Sequence, residues 1–319
     1  MKKTFALILA CMMMLSLNIH TLAEDEPVRL AALKGPTAMG LVQLFENHAE
    51  EYDVLIAGSA DEITPRLIQG QIDIAAIPIN LASVLYNRTE GGLRLLAINA
   101  LGVLYVVEKG DVPITTLQDL KGKTLYATGK GSTPEYALTW LLKAHGLDIS
   151  TDLTVEWKSE PAEAVALLAQ NENGIAMLPQ PYVTAACAQV DGLRVALDLT
   201  EEWDKLDSGS RLITAGIVVR EEYAREHPDR VNAFLDQFAQ SAAFVNENTA
   251  EAAALTEKYI GIKAAIAAKA LPACNIVCIT GEDAAAILPG YLKTLYDLNP
   301  ASVGGQLPEE DFYRINEAR

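Results

Sequence analysis

The chain is poor in the residues most chemistry depends on. Its 319 residues include four His and four Cys, only 6% are aromatic, and Lys and Arg total 25 against 42 Asp and Glu. Few histidines leave little material for general bases or metal sites. His20 falls near the amino terminus, while His48, His145 and His227 sit on polar helical faces or ends and read as surface residues. A net charge of −17 argues against nucleic acid or an anionic membrane surface as a partner. Cys11 lies in the first apolar run, leaving Cys187, Cys274 and Cys278. Three is an odd number, so at least one thiol is free or pairs between chains. Cys274 and Cys278 could bridge, but two thiols without neighbouring His or acidic residues make no metal site, and buried free thiols are the expected state.

Catalytic patterns are missing as well. No G-x-S-x-G elbow, no H-E-x-x-H pair and no complete phosphate-binding loop occurs. Gly122-Lys123-Thr124 ends like such a loop, yet Leu117 stands where its first glycine belongs. No metal and no cofactor is expected. Asn87-Arg88-Thr89 matches a glycosylation triplet, a pattern short enough to arise by chance.

What the chain does have begins at its first residues. Lys2 and Lys3 precede an apolar stretch from Phe5 to Leu17, and Thr21-Leu22-Ala23 supplies small residues for cleavage. The run is shorter than the roughly 20 residues that span a bilayer, so residues 1–23 read as a removed signal peptide and the mature chain as exported. A rival reading takes Ile8-Leu9-Ala10-Cys11 as a lipoprotein site with Cys11 acylated, at the expense of a very short signal. No second apolar run of membrane-spanning length follows.

From Val28 onward short β-rich runs alternate with helix-like segments, the pattern of an α/β fold in which helices cover mostly parallel sheets. Strands are expected at Val28 to Leu33, Val54 to Gly58, Ile72 to Ile77 and Leu93 to Ile98. Another apolar run spans Leu101 to Val107. A second set follows at Thr124 to Thr128, Leu153 to Trp157, Ile175 to Leu178 and Leu193 to Leu197, with one more strand at Thr214 to Val219. Beyond Glu221 the pattern turns helical and strand patterning is essentially lost. Such a block cannot bury its apolar faces alone, so it is expected to pack on the first lobe. The division that results is 24–107 with 214–319 for lobe one and 108–213 for lobe two. Two crossings, near Val107 to Gly110 and near Ser208 to Thr214, form a hinge able to close on a ligand.

Three segments carry a resemblance to a known family: Leu33-Lys34-Gly35-Pro36-Thr37-Ala38-Met39-Gly40 after the first strand, Gly70-Gln71-Ile72-Asp73-Ile74-Ala75 at the third, and Leu117-Gln118-Asp119-Leu120-Lys121-Gly122-Lys123 before the second lobe. In order and spacing they resemble the type II periplasmic binding proteins of ABC importers, in the branch similar to nitrate-, sulfonate-, taurine- and thiamine-precursor-binding proteins. The resemblance covers nearly all of the mature chain. It implies a two-lobed type II periplasmic-binding-protein fold, a small-molecule ligand between the lobes, a membrane permease of an ABC transporter as partner, and a monomer. Small-molecule enzymes of the thiamine-pyrimidine and menaquinone pathways resemble the same fold, and a ligand sensor is a third reading. The leader segment weighs against an enzyme, which would be expected inside the cell.

In open α/β sheets ligands gather at the carboxyl ends of strands, which selects the candidate contacts. Lys34, Gly35, Thr37 and Ala38 form the turn after the first strand. Pro36 is tolerated in its first helical turn, and the N–H groups of Thr37, Ala38 and Met39 would seat an accepting group. Gly129, Ser132 and Thr133 form the matching turn of lobe two. There Ser132-Thr133-Pro134-Glu135 equally reads as a capping box, and Glu135 would oppose a strong anion. Pro78 and Asn80 close the third strand, while Gln180 and Tyr182 follow the strand at Ile175 to Leu178. Arg211 could reach a ligand or pair with Asp204 or Asp207.

Overall fold

The computed structural model describes residues 26–111 and 113–313. The expected leader and Cys11 lie outside them. The first alternating stretch forms β1 (Val28–Leu33), β2 (Tyr52–Ala57), β3 (Ile74–Pro78) and β4 (Leu93–Leu101). The chain then passes directly into β5 (Leu104–Lys109), followed by β6 (Thr124–Thr128), β7 (Thr154–Lys158), β8 (Gly174–Pro179) and β9 (Leu193–Asp198). It returns through β10 (Ile213–Arg220) and, late in the chain, β11 (Ile276–Ile279).

Pairing sorts these strands into two sheets, ordered β11-β4-β10-β3-β1-β2 and β7-β6-β8-β5-β9. β1 is parallel to β2 and β3, whereas β10 runs antiparallel to both β3 and β4. In the second sheet β6 is parallel to β7 and β8, and β5 runs antiparallel between β8 and β9. Each sheet therefore has a parallel majority crossed by returning strands. Strands this apolar, Leu-Arg-Leu-Leu-Ala-Ile-Asn-Ala-Leu in β4 for example, are buried on both faces as a helix-covered sheet requires.

Two features depart from the sequence expectation. The run from Leu101 to Val107 supplies β5, which belongs to the second sheet, so the first crossing falls at Gly102 and Val103 instead of near Val107 to Gly110. The helical end of the chain also contains β11, joined to β4 at only Ile276↔Ala100 and Ile279↔Ile98. Four residues with an irregular register leave too short a period-2 signal to stand out among helices.

The helical block packs where its apolar stripes dictate. Val231, Phe234, Leu235 and Phe238 recur along one face of the Pro228–Glu247 helix and are buried with Ala38, Met39, Leu41 and Phe45. Burying each Phe contributes about 2 kcal/mol. Ser241 lies on the same face without being left unpaired, since its hydroxyl donates to the Gly40 carbonyl at 2.8 Å and accepts from Leu44 N–H at 3.2 Å. The long Gly281–Leu298 helix reaches further. Its buried Tyr291 ring meets Trp203 with centroids 5.6 Å apart, and Trp203 meets Trp140 at 6.1 Å, joining the helical block to helices of the second sheet.

One ion cluster pins the amino-terminal edge of the first sheet. Buried Asp73 accepts from Arg29 Nε at 2.8 Å, from the Arg29 backbone N–H at 3.0 Å and from Arg220 at 3.1 Å. Burial opposes ionisation of this carboxyl, but the bonds from Arg29 and Arg220 outweigh it and hold its pKa below the usual range. The Gly70-to-Ala75 segment thus carries a structural acid joining β1, β3 and β10.

Candidate functional site

The carboxyl ends of β1 and β3, the end of β4 and the start of β10 lie along one edge of the first sheet. Loops from the second sheet meet this edge. Asn80, 6% exposed at the start of the Ile79–Arg88 helix, accepts at Oδ1 from the Thr133 hydroxyl at 3.2 Å. Its Nδ2 donates to the Ser302 carbonyl at 3.3 Å. One candidate from each side of the molecule is therefore in direct contact, in a buried place. The Tyr291 hydroxyl is also buried and lies close to Thr133 without making a hydrogen bond.

The turn after β1 behaves differently from expectation. Gly35 adopts φ 113° and ψ −152°, a conformation in the positive-φ region that favours glycine. Its carbonyl accepts from both Ala38 N–H and Met39 N–H at 3.0 Å. Those two N–H groups are thus turned into a four-residue helix, Pro36–Met39, and of the three expected at the seat only the Thr37 N–H has no acceptor among the described residues. Thr37 is buried and its carbonyl accepts from Asn99 Nδ2 at 2.8 Å, while Ala38 is fully buried.

The matching turn in the second lobe corrects a second expectation. Ser132 donates its hydroxyl to the Gly129 carbonyl at 2.8 Å, and Glu135 accepts from Gly131 N–H at 2.5 Å. Neither bond is that of a capping box, because the glycine turn places closer partners beside both side chains. Glu135 is consequently tied to its own turn. Capping boxes form instead at Ser59 with Glu62 and at Thr116 with Asp119, where two backbone N–H groups hold the Asp119 pKa down at about 2.

The remaining candidates divide between the hinge and a second cleft. Gln180 is buried next to a cis bond to Pro181; its N–H donates to the Val103 carbonyl at 2.9 Å, and its Oε1 accepts from the Thr184 hydroxyl at 2.8 Å. Pro78 stands between β3 and the following helix, paired with Ala215 of β10. Lys34, Gly35 and Tyr182 line an open cleft of about 270 Å³ together with Gln189, Gly261 and Lys263. Neither Lys34 nor Lys263 has a carboxylate partner among the described residues. Arg211 is exposed and, among the described residues, pairs with neither Asp204 nor Asp207.

Other expectations resolve locally. Cys187, Cys274 and Cys278 are free thiols, and Cys274 is buried with its Sγ 3.9 Å from Met39 Sδ, so burial pushes its pKa up to about 12. The Asn87 amide donates to the carbonyls of Val303 at 2.8 Å and Gln306 at 2.7 Å, which occupies the group a glycan would need. Among the described residues no group of three or more His, Cys, Asp or Glu is placed to hold a metal.

Sequence reasoning missed Asn99 and Thr214. Both lie at the same sheet edge, and each has a buried side-chain oxygen, Oδ1 and Oγ1, with no hydrogen-bond partner. A signal was present: each is a polar residue inside an otherwise apolar run, where burial demands a partner.

Two α/β sheets whose strand-end loops meet across a double crossing define the architecture of two-lobed periplasmic binding proteins. The sequence model of the NMT1-like family matches residues 39–260, and the chain belongs to that family. Among solved structures it is similar to an ABC transporter protein from Parabacteroides distasonis, at 24% identity and a TM-score of 0.76 over 90% of this chain and 98% of that one. It is also similar to the periplasmic aliphatic sulphonate-binding protein SsuA of Escherichia coli, at 22% identity and 0.70 over 91% of each chain. The periplasmic nitrate-binding protein NrtA of Synechocystis is more distant, at 15% identity and 0.55 over 76% of this chain and 69% of that one. No curated protein matches the chain by sequence.

Proposed function

We infer that the protein is an extracytoplasmic solute-binding receptor of an ABC importer, a monomer that captures a small molecule between its lobes and presents it to a membrane permease. Support comes from family membership and from the like fold of an ABC transporter protein and a periplasmic sulphonate-binding protein. The observation that carries the reading is the buried Asn80–Thr133 hydrogen bond, which brings a strand-end loop of each sheet to one point. The lobes we propose meet at Gly102-Val103 and again within residues 205–212, so hinge motion would open and close the space around that point. Export by the amino-terminal leader completes the reading. No helix among the described residues is long and apolar enough to cross a membrane.

Titration calorimetry against amino acids, sulfonates, pyrimidines and carboxylates tests it. One compound should bind with micromolar or tighter affinity, because closure of two lobes buries most of a small ligand. Asn80→Trp should abolish that binding while circular dichroism stays native, and Thr133→Val should weaken it. Unchanged affinity in both variants would remove these residues from the site, and turnover of the bound compound would make the protein an enzyme.

A further inference from the structure

The amides along the edge of the first sheet are oriented by partners that can play only one role. Asn80 Nδ2 and Asn99 Nδ2 each donate to a backbone carbonyl, of Ser302 at 3.3 Å and of Thr37 at 2.8 Å. A carbonyl cannot donate, so flipping either amide would set two acceptors against each other. Each side chain must therefore turn its oxygen away from that carbonyl. Asn80 Oδ1 meets Thr133, whereas Asn99 Oδ1 is buried and meets nothing. Leaving a buried acceptor unpaired costs stability, so a native chain keeps one where something else supplies the donor.

The backbone at this place is built irregularly. β10 pairs with β4 at Ile213↔Leu101, Ala215↔Ala100 and Gly216↔Ile98. Thr214 is left over on one strand and Asn99 on the other, on either side of the Ala100–Ala215 pair. Bulges of this kind free a residue from the ladder and re-aim its side chain, and they concentrate beside functional sites. Both residues so released have a buried, unpartnered oxygen, as do Tyr291 and Thr200 nearby. Thr214 is only partly buried while Asn99 is 1% exposed, so Asn99 is the stronger anchor.

We propose that Asn99 and Thr214 anchor the ligand, and that the ligand presents N–H donors, as an amine or amidine does, instead of an oxyanion such as sulfonate or nitrate. This rests on the receptor reading above. An oxyanion is held by donors and cations. Here Asn99 offers a buried oxygen that can only accept, beside a Thr214 hydroxyl that can accept as well as donate. Across the hinge Gln180 has the opposite sense, its Oε1 taken by Thr184, so an acceptor elsewhere on the ligand would meet donors there.

Thermal-shift and calorimetric titration of the mature chain with shape-matched pairs tests this: benzamidine against benzoate and acetamidine against acetate, with ethanesulfonate and nitrate alongside. The amidines should bind and their matched anions should not. Asn99→Leu should weaken amidine binding at least tenfold. Thr214→Val is the variant least able to disturb the fold: it should leave the ligand-free melting temperature unchanged or higher while weakening the amidines. Binding of the anions alone would overturn the donor assignment and leave the receptor reading intact. Binding by neither series would overturn both, and full amidine affinity in Asn99→Leu and Thr214→Val would remove those residues from the site.

Discussion

Asp73 shows how one residue can be conspicuous in sequence and carry no ligand. Its carboxylate is 3% exposed and shared by Arg29 and Arg220, so it fastens the edge of the first sheet remote from the strand ends where the ligand is proposed to bind. Asp73→Asn should destabilise the fold by about 3 kcal/mol in urea melts at pH 7, since removing one partner strands two guanidinium groups. The pH dependence has a definite sign. With a folded pKa below the unfolded value of about 4, the contribution is complete above that value and is lost as pH falls through the lowered one. The wild type should therefore lose stability in that acid window more steeply than Asp73→Asn, and equal slopes would contradict the assignment. Asn99 and Thr214 are the converse case. Their setting in apolar runs was visible, but only strand register shows that both are bulge residues with unpaired oxygens.

Single elements were legible where their chemistry is local. Val28–Leu33 and Thr124–Thr128 are the strands their β-rich runs predict. Features set by tertiary contacts were not legible. The Leu101 to Val107 run reads as one strand because nothing local marks Gly102 as a crossing. The mark is a neighbour 98 positions on: a Cβ on Gly102 would stand 2.2 Å from Thr200 Oγ1 and 2.9 Å from Leu212 Cδ2. Gly102→Ala should push the Thr200 helix off the crossing and cost about 2 kcal/mol, read as a lowered urea midpoint. The Trp203–Tyr291 contact is equally invisible in sequence. Trp203 is fully buried, and its Nε1 donates to the Ser210 carbonyl at 3.2 Å. Trp203→Ala should cost about 4 kcal/mol by emptying the space between the helical block and the second sheet. A loss below about 1 kcal/mol would mean that this aromatic contact does not hold the two together.

At the scale of the whole molecule, alternating strands and helices were enough to expect two sheets, and the resemblance was enough to expect how they face each other. The contacts among the candidate residues were only half legible. Position after a strand's carboxyl end selected Asn80 and Thr133, which the structure brings into contact, and Lys34 and Tyr182, which line a separate cleft, as well as the exposed Arg211. Strand ends define an edge about a sheet wide, and side-chain partners decide which parts of it enclose anything. The central claim is that this edge holds one small molecule. Native mass spectrometry of the mature chain, purified from its source without unfolding, tests that most directly. The predicted result is one small molecule per chain, released on unfolding and not recovered with Asn80→Trp. A bare chain mass from cells grown across varied nutrients, or an adduct that Asn80→Trp retains unchanged, would contradict it.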